Sequence, residues 1–363
     1  MRSDNHNIRL NLKKDTSSLS GSNMFIFNQQ MTTAIKGIAI CIMLFHHFFG
    51  FPLWLQEDVS FYGIPFNNAT IEYYLASAGK ICVAMYTFLS GYGLFISYQR
   101  RDKIWDFHYL LKKTIQLLIN WWLIVLIVEF PMMVCYKSVG GGITQWLLTR
   151  IFLVDLTGNP FVGYLKFYLL ALWTSPVLYQ AVRKCKYEKS FIILIPFAGM
   201  VLRKVCWFVL SDMGLLNTYI LYIPYFLTGM LAYKSKLYQK AYRTIKDLKF
   251  MGFIIVAGIL GVITLRSLAG EHALSFDSWF AMILIFLIAV CFQKKSKVRS
   301  FFEWLGKYST NLWYSHAVWI FGSVTMQRIL YAPKVPLIIL AWGIALCMPG
   351  ALIVAWILKK INF

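Results

Sequence analysis

Ten apolar runs, each long enough to cross a bilayer, take up most of this chain. They fall at about 31–51, 74–98, 113–134, 160–181, 190–210, 218–234, 248–266, 278–293, 304–325 and 335–358. The connections between them alternate in charge. The N-terminal segment carries Arg2, Arg9, Lys13 and Lys14, the second connection Arg100, Arg101 and Lys103, the sixth Lys236, Lys240 and Arg243, and the C-terminus Lys359 and Lys360. The odd connections are poor in cations and hold Glu57, Asp58, Glu72, Asp155, Asp212, Glu271 and Asp277. Cations gather on the cytoplasmic side of a membrane protein, so this alternation predicts cytoplasmic N and C termini. Backbone polar groups in lipid must be satisfied within the span, which predicts helices throughout. The expectation is an all-α polytopic membrane protein of about ten transmembrane helices. A polar cytoplasmic tail over 1–30 precedes a transmembrane domain over 31–358, with a cytoplasmic tail over 359–363. The stretch 143–155 is apolar but short, and is expected at an interface or as a re-entrant segment.

This reading decides what the charge means. Lys and Arg number 36 against 15 acidic residues, an excess that would suit nucleic acid. The cations fall in short clusters between apolar runs, so they are read as topology signals and no nucleic-acid partner is expected. The seven cysteines form no CxxC and lie mostly within apolar runs. They read as small buried hydrophobes, with neither a disulfide frame nor a metal site. No Walker-type phosphate loop, dinucleotide fingerprint, HExxH or GxSxG elbow occurs. Their absence argues against an ATP-driven pump, a nicotinamide enzyme, a zinc protease and a common serine hydrolase.

Ionisable groups inside the spans are the candidates for chemistry, because they are costly there and usually face a cavity or a substrate path. The first run contains Lys36 near its start and His46 and His47 near its end. Lys36 and His47 are eleven residues apart, about three helical turns, so they share one face ~16 Å apart along the axis. Histidine suits a general base because its ordinary pKa lies near neutrality. A cation below it suits a phosphate or other anion. The plain alternative is a snorkelling lysine and histidines bonded to helix carbonyls. His46 and His47 point about 100° apart, so only one is expected to face a given cavity.

The second run contains FLSGYGLF, with Ser90, Gly91 and Gly93, where small residues let helices or a ligand approach closely. Helix packing alone would account for it. Lys80 at its outer start either binds an anion or anchors the helix. The ninth run opens with WLGKYSTNLWYSHAVW and places Lys307, Tyr308 and Ser309 at the inner interface and His316 about two turns deeper. Lesser candidates are Glu129, read near the outer interface with an exposed role, Lys166, Tyr168, and the pair Arg203 and Lys204. Lys112 and Lys113, at the cytoplasmic start of the third run, are candidates to grip phosphates or simple topology determinants.

Lys36–x10–His47 with KGIAI, FLSGY in the second run, FVGYLKFYLLALWTSPVLY in the fourth and LGKYS…LWYSH in the ninth together resemble the acyltransferase 3 family of bacterial integral-membrane O-acyltransferases. The resemblance covers most of the chain from residue 31 onward. It implies transfer of an acyl group, usually acetyl, from cytoplasmic acyl-CoA to a hydroxyl of an extracytoplasmic glycan or lipid-linked sugar. Carried over by position, it implies His47 as the catalytic histidine, His316 as a late catalytic-site histidine and Ser90 with Gly91 as the small-residue motif. Lys36 stands where the family usually has arginine, associated with the donor. Lysine holds phosphate as a point charge and lacks the bidentate fork.

The resulting expectation places His47, His316 and Ser90 in catalysis. Lys36, Lys112, Lys113, Lys307 and Tyr308 are expected on the donor, with no metal. No cofactor is expected to be permanently bound; acetyl-CoA or another acyl-CoA serves as donor substrate. The other partners are the sugar acceptor and membrane lipid, and the oligomeric state is left open, a homodimer included. The expected location is the bacterial cytoplasmic membrane. The alternative of another class is a transporter or channel with a His/Lys proton or anion path. Against it stand the missing repeat symmetry and the lack of mid-membrane acids.

Overall fold

The computed structural model describes residues 25–136, 143–153, 162–210 and 214–361. These residues are mostly helical, and the strand among them is a short hairpin in which Pro65–Phe66 pairs antiparallel with Ala69–Thr70. Residues 1–24 of the N-terminal tail and the acids Asp155 and Asp212 lie outside the described residues. Among the described residues, seven helices are long and apolar enough to cross a membrane: Gln29–Phe49, Ile71–Gln99, Phe107–Cys135, Gly214–Lys234, Met251–Ala269, Leu274–Cys291 and Pro336–Lys360. Two further helices, Val162–Lys184 and Glu188–Leu210, have 23 residues each. Their apolar character is diluted by Lys166 in the first and by Arg203 and Lys204 in the second.

Helix α1, Gln29–Phe49, begins where the Asn28 side chain accepts the Met31 amide at 3.0 Å. Helices α2, Ile71–Ala78, and α3, Ile81–Gln99, follow each other with one break at Gly79–Lys80. Helix α4, Phe107–Ile124, is capped by Asp106 and runs through a π turn, Val125–Glu129, into α5, Phe130–Tyr136. Then come α6, Ile143–Phe152, α7, Val162–Lys184, α8, Glu188–Leu210, and α9, Gly214–Lys234. The amphipathic α10, Leu237–Ile245, leads to α11, Met251–Ala269, and α12, Asp277–Cys291. Phe253, Leu260 and Leu268 stand exposed on α11, as a lipid-facing helix requires.

The run 304–325, expected as one span, is broken twice. Residues Lys297–Lys307 form an amphipathic α13, Ser309–Ser315 form α14 and Ala317–Phe321 form α15. At the first break the Tyr308 amide closes a tight turn on the Leu305 carbonyl at 3.1 Å. At the second, a ring nitrogen of His316 occupies the Trp313 carbonyl, which a continuing helix would have used for the amide of residue 317. Helices α16, Val324–Tyr331, and α17, Pro336–Lys360, complete the fold.

Two close helix crossings fix the frame. A Cβ on Gly37 would lie 2.1 Å from the Phe302 carbonyl oxygen, and one on Gly306 would lie 1.9 Å from that of Thr33. So α1 and α13 touch backbone to backbone. Gly91 and Gly229 do the same for α3 and α9, at 2.0 Å from Phe226 O and 2.1 Å from Phe88 O. Small residues at such crossings recover dispersion and weak polar contacts that side chains would block.

Two expectations are corrected here, one on Glu129 and one on the cysteines. Glu129 is not exposed: it is 2% accessible and pairs with Arg150 at 2.9 Å. The short α6 lies against α4, where the indoles of Trp121 and Trp122 donate to the carbonyls of Arg150 and Ile151 at 2.7 and 3.0 Å. This places Arg150 over Glu129. All seven cysteines are free thiols, but Cys135 and Cys291 are exposed and so do not serve as buried hydrophobes.

Candidate active site

A cavity of about 430 Å3 opens between α1, α3, α4, α7, α9 and α14, a size typical of small-molecule sites. Lys36, His46 and His47 all border it from α1. The helical phase that puts Lys36 under His47 is thus realised as one continuous chamber. The expectation that only one histidine of the pair reaches it is corrected. Helix α1 ends two residues beyond His47, and the chain turns back through Phe51 and Trp54, which also border the cavity. The chamber wraps around the helix end and meets both rings.

The two histidines are held differently. A ring nitrogen of His46, Nδ1, donates to the Ala76 carbonyl of α2 at 2.6 Å. The neighbouring Gly79 leaves room for it, since a Cβ there would lie 2.9 Å from the His46 Cβ. His47 meets another imidazole instead: its Nδ1 lies 2.7 Å from Nε2 of His316, with the rings stacked at 4.7 Å. Nδ1 of His316 points at the Trp313 carbonyl, which can only accept. That nitrogen therefore carries a hydrogen, and in neutral His316 Nε2 is the acceptor. His47 must then donate from Nδ1, which makes Nε2 its basic nitrogen. Both ring contacts of His316 are made at the second break in the ninth run.

Between Lys36 and the histidines the wall is rich in tyrosine. Tyr86 donates to the Lys36 carbonyl at 3.0 Å, and Tyr164 accepts from the Thr87 hydroxyl at 3.1 Å. Tyr168 and Ser90 both border the chamber, and the Ser90 hydroxyl donates to the Tyr86 carbonyl at 2.8 Å. Tyr314 is 3% accessible, and its hydroxyl has no hydrogen-bond partner among the described residues. Buried hydroxyls are seldom left so, and one bordering a cavity is placed to donate to a ligand.

The expected site residues are divided by this arrangement. Lys36, His47 and Ser90 border the chamber, and His316 stands directly behind His47. Gly91 does not border it and instead makes the α3–α9 crossing. Lys307 and Tyr308 do not border it either. They follow Gly306, which packs against Gly37, so their turn adjoins the Lys36 end; Ser309 and Thr310, the next two residues, do line it. Lys112 and Lys113 are exposed on α4 and do not line the chamber, nor do Lys166, Arg203 and Lys204. No cluster of metal-ligating side chains occurs among the described residues. Sequence reasoning missed Tyr86, Tyr164, Trp54 and Tyr314. Tyr164 and Tyr314 lie within the quoted FVGYLKFY and LWYSH motifs, but Tyr86 and Trp54 are signalled only by aromatic richness, which an ordinary interfacial belt shares.

No curated protein and no solved structure matches this chain. A family model described as an acyltransferase domain matches residues 33–360. That span starts just before Lys36, ends at the close of α17, and contains every residue of the chamber. The chain is a multi-pass membrane protein with helices of spanning length, and it belongs to the acyltransferase 3 family.

Proposed function

We propose that this protein is an O-acyltransferase of the bacterial cytoplasmic membrane, with ten spans and both termini cytoplasmic. It moves an acetyl group from cytoplasmic acetyl-CoA to a hydroxyl of an extracytoplasmic glycan or lipid-linked sugar. The observation that carries the reading is the hydrogen-bonded series Trp313 carbonyl, His316, His47, ending at the chamber with a basic Nε2. It supplies an oriented base at the end of a path that begins at a cation.

The donor phosphates sit at the Lys36 end, with Lys307 and Tyr308 on the adjoining turn. Lys112 and Lys113 contribute only long-range attraction. The pantetheine arm runs between the tyrosines and brings the thioester toward His47. Nε2 of His47 takes the proton of the acceptor hydroxyl as its oxygen attacks the thioester carbon. The oxyanion of the tetrahedral intermediate is steadied by the Tyr314 hydroxyl, with Ser90 shaping the wall below. The C–S bond then breaks, and the departing CoA thiolate takes the proton from His47. His316 holds the His47 tautomer and spreads the transient positive charge.

The test is the acetate content of surface glycans in cells lacking the chain. Acetate should fall on deletion, return with the wild-type chain, and stay absent with His47→Ala at an equal membrane level. Normal acetate with His47→Ala would remove the base from this reaction.

A further inference from the structure

The chamber has a cation at each end, and the proposed reaction uses only one. Lys80 borders it from the break between α2 and α3. It directly follows Gly79, which packs on His46, so Lys80 stands at the histidine end, three turns of α1 away from Lys36. On the same chamber wall the chain leaving α1 forms an aromatic platform. The rings of Phe51 and Trp54 stack at 3.8 Å with 8° between their planes, and Phe321 meets Trp54 edge-on at 4.8 Å. The platform is braced. The side-chain amide of Gln327 donates to the Trp54 carbonyl at 2.9 Å and accepts the Gln56 amide at 3.0 Å. Gln327 is itself 3% accessible.

A flat aromatic face suits the C–H face of a sugar ring, and a lysine lining the same chamber suits an anion carried by that sugar. Neither is needed by the donor, whose phosphates belong at Lys36. Resting on the acyltransferase reading, we propose that the histidine end is the acceptor subsite and that the acceptor sugar is anionic. Its ring packs on Phe51 and Trp54, and its negative group pairs with Lys80, which presents a sugar hydroxyl to Nε2 of His47. The shared chemistry is a carboxylate or a phosphate diester attached to the sugar; a uronic acid and a prenyl-phosphate sugar both supply it.

The test uses the full chain in nanodiscs with radiolabelled acetyl-CoA and three acceptors. These are a β-1,4-glucuronic acid tetrasaccharide, cellotetraose as its neutral counterpart, and a short-chain prenyl-phosphate glucose. At least one anionic acceptor should take label about tenfold faster than cellotetraose, and which one does so identifies the source of the charge. Lys80→Gln should remove that preference while leaving acetyl-CoA-induced thermal stabilisation unchanged. Lys80→Arg should retain it, and Trp54→Ala should weaken transfer to every acceptor. Equal labelling of neutral and anionic acceptors, or an unchanged preference in Lys80→Gln, overturns the subsite. Failure of acetyl-CoA to stabilise the wild type would instead overturn the acyltransferase reading, so the two failures are told apart.

Discussion

Two of the buried polar pairs that join helices in this protein differ in one respect. Arg266 and Asp277 link α11 to α12: their side chains meet at 2.5 and 3.2 Å, and Arg266 also donates to the Gly270 carbonyl at 2.7 Å. At 1% and 2% accessible they are sealed, and neither borders the chamber. His47 and His316 also meet across two helices, but His47 borders a space a substrate can enter. Buried polarity by itself therefore does not mark a functional site. A closed pair ties helices together. A pair with one partner on a cavity can exchange a proton with whatever fills it.

The comparison breaks most visibly at His47. Replacing it with alanine should lower acetyl transfer by ~10^2–10^4-fold, the usual worth of a positioned base, while the protein still inserts. Transfer assays at matched membrane level check this.

The sealed pair should show the opposite pattern. Arg266→Leu strands a buried carboxylate and should cost about 3–5 kcal/mol of stability. Arg266→Leu with Asp277→Leu should recover most of that loss. Turnover per folded molecule should stay near wild type in the double variant, as read by thermal unfolding beside a transfer assay. A turnover defect in the recovered double variant would erase the distinction between the two pairs.

His316 sharpens the comparison, since it acts through His47. His316→Leu should cost about tenfold to a hundredfold in turnover, as loss of a ring-orienting partner does elsewhere, with little change in KM for acetyl-CoA. His316→Gln should restore part of the rate, because its amide oxygen can still accept from Nδ1 of His47. Equal defects in both would mean that the ring serves packing alone.

The smallest effect belongs to the exposed cations. Lys112→Gln with Lys113→Gln should change stability by no more than about 0.5 kcal/mol and leave donor binding close to wild type, because neither residue reaches the chamber. A loss of donor binding comparable with that of a Lys36 variant would move the phosphate site onto α4.

What could be read beforehand follows the range of the forces involved. The eleven-residue step from Lys36 to His47 is local helical phase, and the chamber bears it out. The glycines of KGIAI, FLSGY and LGKYS are small residues in apolar runs, and Gly37, Gly91 and Gly306 each make a backbone crossing. The meeting of His47 with His316 spans 269 residues of chain, and no local pattern encodes it. The broken ninth run was hidden for a related reason. Its apolar content fits a span, and the break depends on where the His316 ring finds its partners. Asp277 read as a loop acid because its arginine lies in the preceding run, paired only once α11 and α12 pack. Lys112 and Lys113 show the converse: charge near a membrane surface looks like a binding site from sequence, yet in three dimensions neither lysine borders the chamber.

Thermal unfolding of the purified protein with and without acetyl-CoA tests most directly whether one chamber joins cation and imidazole, since a ligand that binds the folded state raises its melting temperature. Acetyl-CoA should stabilise the wild type and His47→Ala alike, and should fail to stabilise Lys36→Glu. No stabilisation of the wild type, or undiminished stabilisation of Lys36→Glu, would contradict the account.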